Sequence, residues 1–230
     1  MNSQDTVLIV VAHPDDEVLG CGGTGAKLVS QGSIVQPIIL CGSVDVRECR
    51  PSDSELLSDM LAANKALGFR SPIIGTFPNI RMNTVPHVEI VQFIEKQIAK
   101  FKPTIIFTHH PGDLNDDHVQ ISKACQAAAR LYQRRSDIPP LEALYFMEIL
   151  SSTDWSFAAT GENFIPTNYV EIGEEFLQKK MKALAHYRKV MRPFPHPRSK
   201  EILRGLAAYR GGQSGLNYAE AFQLVFKQGI

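Results

Sequence analysis

The stretch VLIVVAHPDDEVLGCGGTGAKL, Val7–Leu28, changes its periodicity part-way, and that change decides the fold. Val7–Ala12 is a short β-branched apolar run, suited to a strand buried on both faces. From Glu17 to about Ser30, Val18, Cys21 or Gly22, Gly25 and Leu28/Val29 fall on one helical stripe, with small residues where a helix must lie close to a sheet. Between the two periods stand His13, Asp15 and Asp16. Imidazole and paired carboxylates are costly at the end of a buried strand, unless they work at the carboxyl edge where open α/β sheets place their ligands.

The pattern repeats outward from this unit. Ile34–Leu40 reads as a second strand, and Ser52 with Glu55 has capping-box spacing ahead of Leu57, Met60/Leu61, Asn64 and Leu67, with Gly68 as the stop. Ser71–Gly75 reads as a third strand. Val88, Val91, Ile94, Ile98 and Phe101 mark an amphipathic helix, and Pro103 leads into the strand Thr104–Thr108. The next helix opens at His118, with Asp116 or Asp117 available as its cap, and Leu144–Ile149 extends the sheet. Ser151 to about Ile172 is irregular and predicts a hairpin or lid. Two helices, Glu174–Met191 and Ser199–Arg210, and a strand over Tyr218–Phe226 complete the chain. The expected class is α/β, a Rossmann-like, mostly parallel sheet flanked by helices, with a C-terminal helical and strand elaboration. Residues 1–230 read as a single domain, with a core over 1–150 and a lid and elaboration over 151–230.

Composition narrows the partners. Of 230 residues 44% are apolar, enough for a sizeable core, and Lys+Arg and Asp+Glu balance at 24 each, so no global field favours nucleic acid. Cys21, Cys41, Cys49 and Cys125 lack CxxC spacing and read as small buried thiols. Val7–Ala12 is too short for a signal h-region or a membrane span, and no basic segment precedes it, so the expectation is a cytoplasmic protein with no membrane span. A small-molecule or glycan substrate is expected, and a homo-oligomer is compatible with the sequence.

A second polar cluster, Asp113-Leu114-Asn115-Asp116-Asp117-His118, follows another apolar strand, and together the clusters read as one metal site. His13 and Asp16, three apart where strand gives way to helix, can point at one centre, and His118 supplies a third ligand. Two imidazole nitrogens and one carboxylate oxygen suit Zn²⁺, though another divalent metal fits too, and three protein ligands leave a position for water. Water bound there falls from a pKa of 15.7 to about 7, so hydroxide becomes available at neutral pH. Asp15, beside the metal, is then the general base. The plain competitor is that Asp15 and Asp16 only cap the following helix, worth about 0.3–1 kcal/mol. Two helix caps have no shared reason to carry histidine. Among the other histidines, His87 and His186 read as solvent-facing, and His109 and His110 have no assigned role.

Other classes compete. Gly20–Gly25 matches GxGxxG with Asp45 twenty residues further on, but His13–Leu19 separates the glycines from the strand, so a dinucleotide-binding turn fits poorly. A facial triad for Fe(II) leaves Asp15 without a role. A non-catalytic sugar- or dinucleotide-binding Rossmann-like module is the alternative to an enzyme.

AHPDDEVLGCGGT at Ala12–Thr24, the helix end Leu67-Gly68, HHPGDLNDDH at His109–His118 and YAEAF at Tyr218–Phe222 resemble the PIG-L/LmbE group of zinc-dependent N-acetylsugar deacetylases. The resemblance implies metal held by His13, Asp16 and His118, Asp15 as base, and hydrolysis of the acetamide of a GlcNAc-like unit, free, nucleotide-linked or lipid-linked. Two places depart from the pattern. Where many relatives carry histidine three positions before the third ligand, this chain has Asn115, whose amide can donate to an oxyanion but cannot shuttle a proton. Where relatives have an Arg-x-x-Glu pair, this chain reads Leu56 and Asp59, leaving Arg47 or Arg50 as a substitute or as a solvated loop charge. Phe77–Arg81 and His196–Ser199 resemble a bacterial branch acting on surface-polysaccharide sugars, which adds Arg81, His196 and Arg198 as candidate substrate contacts beside Arg47.

Overall fold

The computed structural model describes residues 5–45, 51–157 and 161–229; Arg47, Cys49 and Arg50 lie outside them. Among the described residues seven strands form one sheet: β1 (Thr6–Val11), β2 (Ile34–Ile39), β3 (Ile73–Ile74), β4 (Ile105–His109), β5 (Ala143–Met147), β6 (Asn168–Glu171) and β7 (Ala219–Lys227), in the order β3-β2-β1-β4-β5-β7-β6. The first five are parallel, whereas β7 lies antiparallel between β5 and β6. The expected class therefore holds, with the C-terminal elaboration built into the sheet.

The alternation of side chains along β1 divides the core in two. Val7, Ile9 and Val11 pack with α1 (Asp16–Ser30), α2 (Asp53–Leu67), α5 (Gly173–Leu184) and α6 (Lys200–Ser214). Leu8, Val10 and Ala12 face α3 (His87–Phe101) and α4 (Asp116–Ala128). Period-2 geometry sends neighbours to opposite faces, so a strand covered on both sides must be apolar throughout. Gly20–Gly25 lie inside α1, where a Cβ on Gly25 would sit 2.4 Å from the Phe69 ring. These glycines serve close packing of a helix, not a phosphate turn.

Several boundaries differ from those the sequence predicts. The capping box of Ser52 and Glu55 forms, but the inner stripe of α2 starts at Leu56 and leaves Leu57 and Leu61 exposed. The third strand shrinks to two residues. Neither Asp116 nor Asp117 caps α4: both are helical, and Asn115 is the cap, its side chain accepting from Asp117 N. Rather than running to Met191, α5 stops at Leu184, where the chain turns Tyr187 and Val190 into the core.

Tyr187 is turned inward to meet Glu17. That carboxylate is fully buried and accepts hydrogen bonds from the Tyr187 hydroxyl and from Asn64 Nδ2 of α2, tying three elements together. Burial raises its pKa from 4.5 to about 7, against the pull of the tyrosine bond. Between these values the unfolded chain ionises while the folded one keeps its proton, so stability falls as pH rises through the window and levels off above it. In metal-free protein, the difference in unfolding free energy between wild type and Glu17→Gln should fall by on the order of 3 kcal/mol from about pH 4 to about pH 8. Denaturant titrations across that range check this; parallel curves would contradict it.

Candidate metal centre

In the sheet order the chain steps outward from β1 through β2 to β3, then returns to place β4 on the other side of β1. Crossovers diverge there, leaving a crevice above the carboxyl ends of β1 and β4. Val10 pairs with Thr108, the Thr108 hydroxyl donates to Val10 O at 2.9 Å, and Ala12 N donates to His109 Nε2 at 2.8 Å. The polar segments after the two strands are thereby held side by side.

His13 Nδ1 and His118 Nε2 are 3.2 Å apart, and Asp16 Oδ2 lies 3.4 Å from the first and 3.1 Å from the second. A tetrahedral ion with bonds of about 2.1 Å sets its ligand atoms about 3.4 Å apart, so this donor set fits zinc in chemistry and in spacing. Each imidazole turns its remote nitrogen to a carboxylate: His118 Nδ1 is 3.1 Å from Asp113 Oδ2, and His13 Nε2 is 3.0 Å from Asp117 Oδ2. Such carboxylate–histidine pairs fix ring orientation and raise ligand basicity.

The electrostatics favour a cation. Burial pulls the His118 pKa down, but Asp16 and Asp113 outweigh it and hold it up to about 10. For His13 the Asp117 and Asp16 bonds likewise overcome burial and raise the pKa. Burial works against ionised Asp16 too, yet His118 keeps its carboxyl well below the usual range. With three ionised carboxylates around two imidazoles, a metal ion competes with protons for the cluster, so acid weakens its binding.

Two neighbouring groups, His13/Cys41/Asp117 and His109/Asp113/His118, also cluster. Their side chains are already engaged. Asp117 accepts from Ile80 N at 2.6 Å and Met82 N at 2.9 Å, and burial pushes the Cys41 thiol far up. Asp113 accepts from the Ser152 and Thr153 hydroxyls and Asn115 N, while His109, stacked on His118, has its Nε2 occupied by Ala12 N–H. Burial, then His118, lowers His109 to about 3, so it stays neutral.

A cavity of about 240 Å³ opens over His13, Asp16 and His118, and Asp15, Asn115 and Arg198 also line it. Asp15 precedes α1 but makes no side-chain capping bond; its carboxylate meets Arg198 Nη1 at 3.2 Å. Arg198 in turn donates from Nε to Ser151 Oγ at 2.7 Å. Asn115 spends Oδ1 on its helix cap and has no hydrogen bond at Nδ2 among the described residues. His196 and Arg81 are not among the residues that line the cavity, and Arg47 lies outside the described residues. His196 accepts Arg198 N–H and meets Trp155 edge-on, and Arg81 is exposed beyond Ile80, although Ile80 and Asn79 line the wall. Glu220 lies elsewhere, accepting from Gly23 N, Thr24 N and Lys180 Nζ, and so anchors α1.

The supporting roles of Asp113, Asp117, Ser152 and Thr153 escape a reading of the sequence. The excess of carboxylates in DLNDDH, three where one site needs at most one more ligand, is the available signal. Gly112 in the same loop has a packing reason: a Cβ there would come within 1.8 Å of Glu162 O, which lies over it.

The profile of the PIG-L family, GlcNAc-PI de-N-acetylase, matches residues 8–129, more than half of the chain and both halves of this centre. The chain belongs to the PIG-L family. The uncharacterized deacetylase YaiS of Escherichia coli K12 is 24% identical over 199 residues, covering 81% of this chain and 92% of YaiS. The N,N′-diacetylchitobiose deacetylase of Pyrococcus horikoshii superposes with a TM-score of 0.75 at 19% identity, over 96% of this PIG-L chain and 84% of its own. GalB, the 4-carboxy-2-hydroxymuconate hydratase of Pseudomonas putida KT2440, superposes with a TM-score of 0.79 at 18% identity over 98% of both chains. At these identities the structural likeness establishes the fold. Among the described residues no helix is long and apolar enough to cross a membrane.

Asp113 makes a sharp test of the orienting pairs. Asp113→Asn keeps the size of the side chain but removes the charge facing His118, and zinc affinity should fall by about 10–100-fold. Competition with a chromophoric chelator measures it; wild-type affinity would show that Asp113 only ties down its loop.

Proposed function

We propose that this PIG-L family member is a metal-dependent hydrolase that removes acetate from an N-acetylated amino sugar, GlcNAc-like and free, nucleotide-linked or lipid-linked. One observation carries the reading: three donor atoms converge at 3.1–3.4 Å in a cavity that also holds an aspartate outside the donor set. His13, Asp16 and His118 would hold the ion, zinc by the chemistry of the set. When bound, the ion supplies Lewis acidity and a source of nucleophilic water near neutral pH.

The chain's own residues do the rest. Asp15 takes the proton of the attacking water at its carboxylate, which Arg198 keeps aimed into the cavity. Asn115 donates from Nδ2 to the oxygen of the tetrahedral acyl carbon, a charge that exists only during reaction. Since an amide cannot carry the proton onward, Asp15 returns it to the departing nitrogen. Water and the N-acetyl sugar become acetate and a free amine.

Asp15→Asn preserves size and removes the base. Metal and sugar binding should survive while kcat falls by about 10²–10⁴-fold, and the acidic limb of the pH–rate profile should disappear. Asn115→Ala should cost on the order of 10²-fold in kcat without moving either limb. Acetate release, measured over a panel of free, nucleotide-linked and lipid-linked N-acetyl sugars with metal content confirmed, checks both. Undiminished turnover by Asp15→Asn would sink the mechanism, and sugar binding without hydrolysis by wild type would favour a binding module.

A further inference from the structure

The backbone of Asp15 is held where side-chain-bearing residues rarely go, at φ 108° and ψ −26°, between His13 and Asp16. Such a conformation persists only when surrounding contacts over-determine it, and relaxing it would swing the carboxylate away from Arg198 and the cavity. Beside the Val18 and Leu19 N–H groups on Asp15 O, a side-chain contact opposes relaxation from two residues along the chain: Glu17 Oε2 accepts Asp15 N–H at 3.1 Å. A glutamate in the first turn of a helix normally faces water at little cost. This one is fully buried, and its other oxygen is gripped by Asn64 Nδ2 at 3.0 Å and by the Tyr187 hydroxyl. Asn64 and Tyr187 are themselves buried, the first in α2 and the second in the turn after α5.

We infer that Glu17 is a positioning residue for Asp15, a clamp on its backbone N–H that is aimed by Asn64 and Tyr187 and complements Arg198 at the carboxylate. The inference rests on Asp15 being the base. It assigns Glu17 no contact with substrate or metal and no proton transfer. A neutral side chain that still accepts from Asp15 N–H therefore suffices. Glutamine can do so with its amide oxygen, and Asn64, whose Oδ1 has no partner, can turn to receive the new NH₂.

The test uses zinc-loaded full-length enzyme, with kcat and KM for acetate release measured separately. Glu17→Ala should lower kcat by about 10- to 100-fold, with KM within about twofold and metal content unchanged. Glu17→Gln should restore kcat to within about threefold of wild type, and Tyr187→Phe, which keeps the ring and loses one grip, should lower kcat by a few-fold without raising KM. A purely architectural Glu17 would lower the melting temperature and leave kcat of the folded fraction intact, which would overturn the inference, as would failure of glutamine to rescue. Should Glu17→Ala not fold, the Tyr187→Phe and Glu17→Gln results decide. If wild type releases acetate from no sugar, the functional reading fails, and crystal structures then decide the clamp: Asp15 at negative φ in Glu17→Ala or Tyr187→Phe supports it, and an unchanged φ in both overturns it.

Discussion

Val10 lies beside Thr108 across the β1–β4 pair, and this parallel register determines where the chemistry can be. Each strand is buried on both faces, so its polar groups gather at and beyond its carboxyl end. A shift of one residue along either strand would exchange the faces of its side chains and separate His13 from His118 by one strand rise, about 3.3 Å. The Thr108 hydroxyl on Val10 O and His109 on Ala12 N pin the register from both sides. Two segments about a hundred residues apart in the chain thereby become one site.

Once joined, the segments create an electrostatic problem that explains much of the surrounding architecture. Asp16, Asp113 and Asp117 each place a carboxylate oxygen within 3.1 Å of a nitrogen of one of two imidazoles, all buried. Backbone amides of Ile80, Met82 and Asn115 and hydroxyls of Ser152 and Thr153 share the load, so loops after β3 and β5 are drawn to the centre. Such a set could hold a divalent cation. The fold alone does not choose the reaction, since a hydratase has the same architecture; the argument for deacetylation rests on the site and the family.

Strands, helices and the three candidate ligands are legible in the sequence because each is written locally, in an apolar run, a capping box or a cluster just past a strand end. Asn115 as the cap of α4 is not, because three neighbouring residues can all cap, and Asp117 is taken instead by His13 and by the Ile80 and Met82 amides, all remote in the chain. The inward turn of Tyr187 and the insertion of β7 between β5 and β6 depend on partners far away in the chain. Glu17 stands in the first motif with no role that its neighbours disclose, since its partners Asn64 and Tyr187 are 47 and 170 residues off. Local patterns record what a residue can do; the contacts that aim it are nonlocal.

The central claim is that His13, Asp16 and His118, and not the overlapping groups around Cys41 or His109, hold one divalent ion. Anomalous diffraction at the zinc edge from crystals grown with zinc tests this directly. The account predicts one strong peak bonded to His13 Nδ1, His118 Nε2 and the Asp16 carboxylate, with Asp15 outside the coordination shell. A peak on Cys41 and Asp117, one on His109 and Asp113, or none in crystals equilibrated with excess zinc would contradict it.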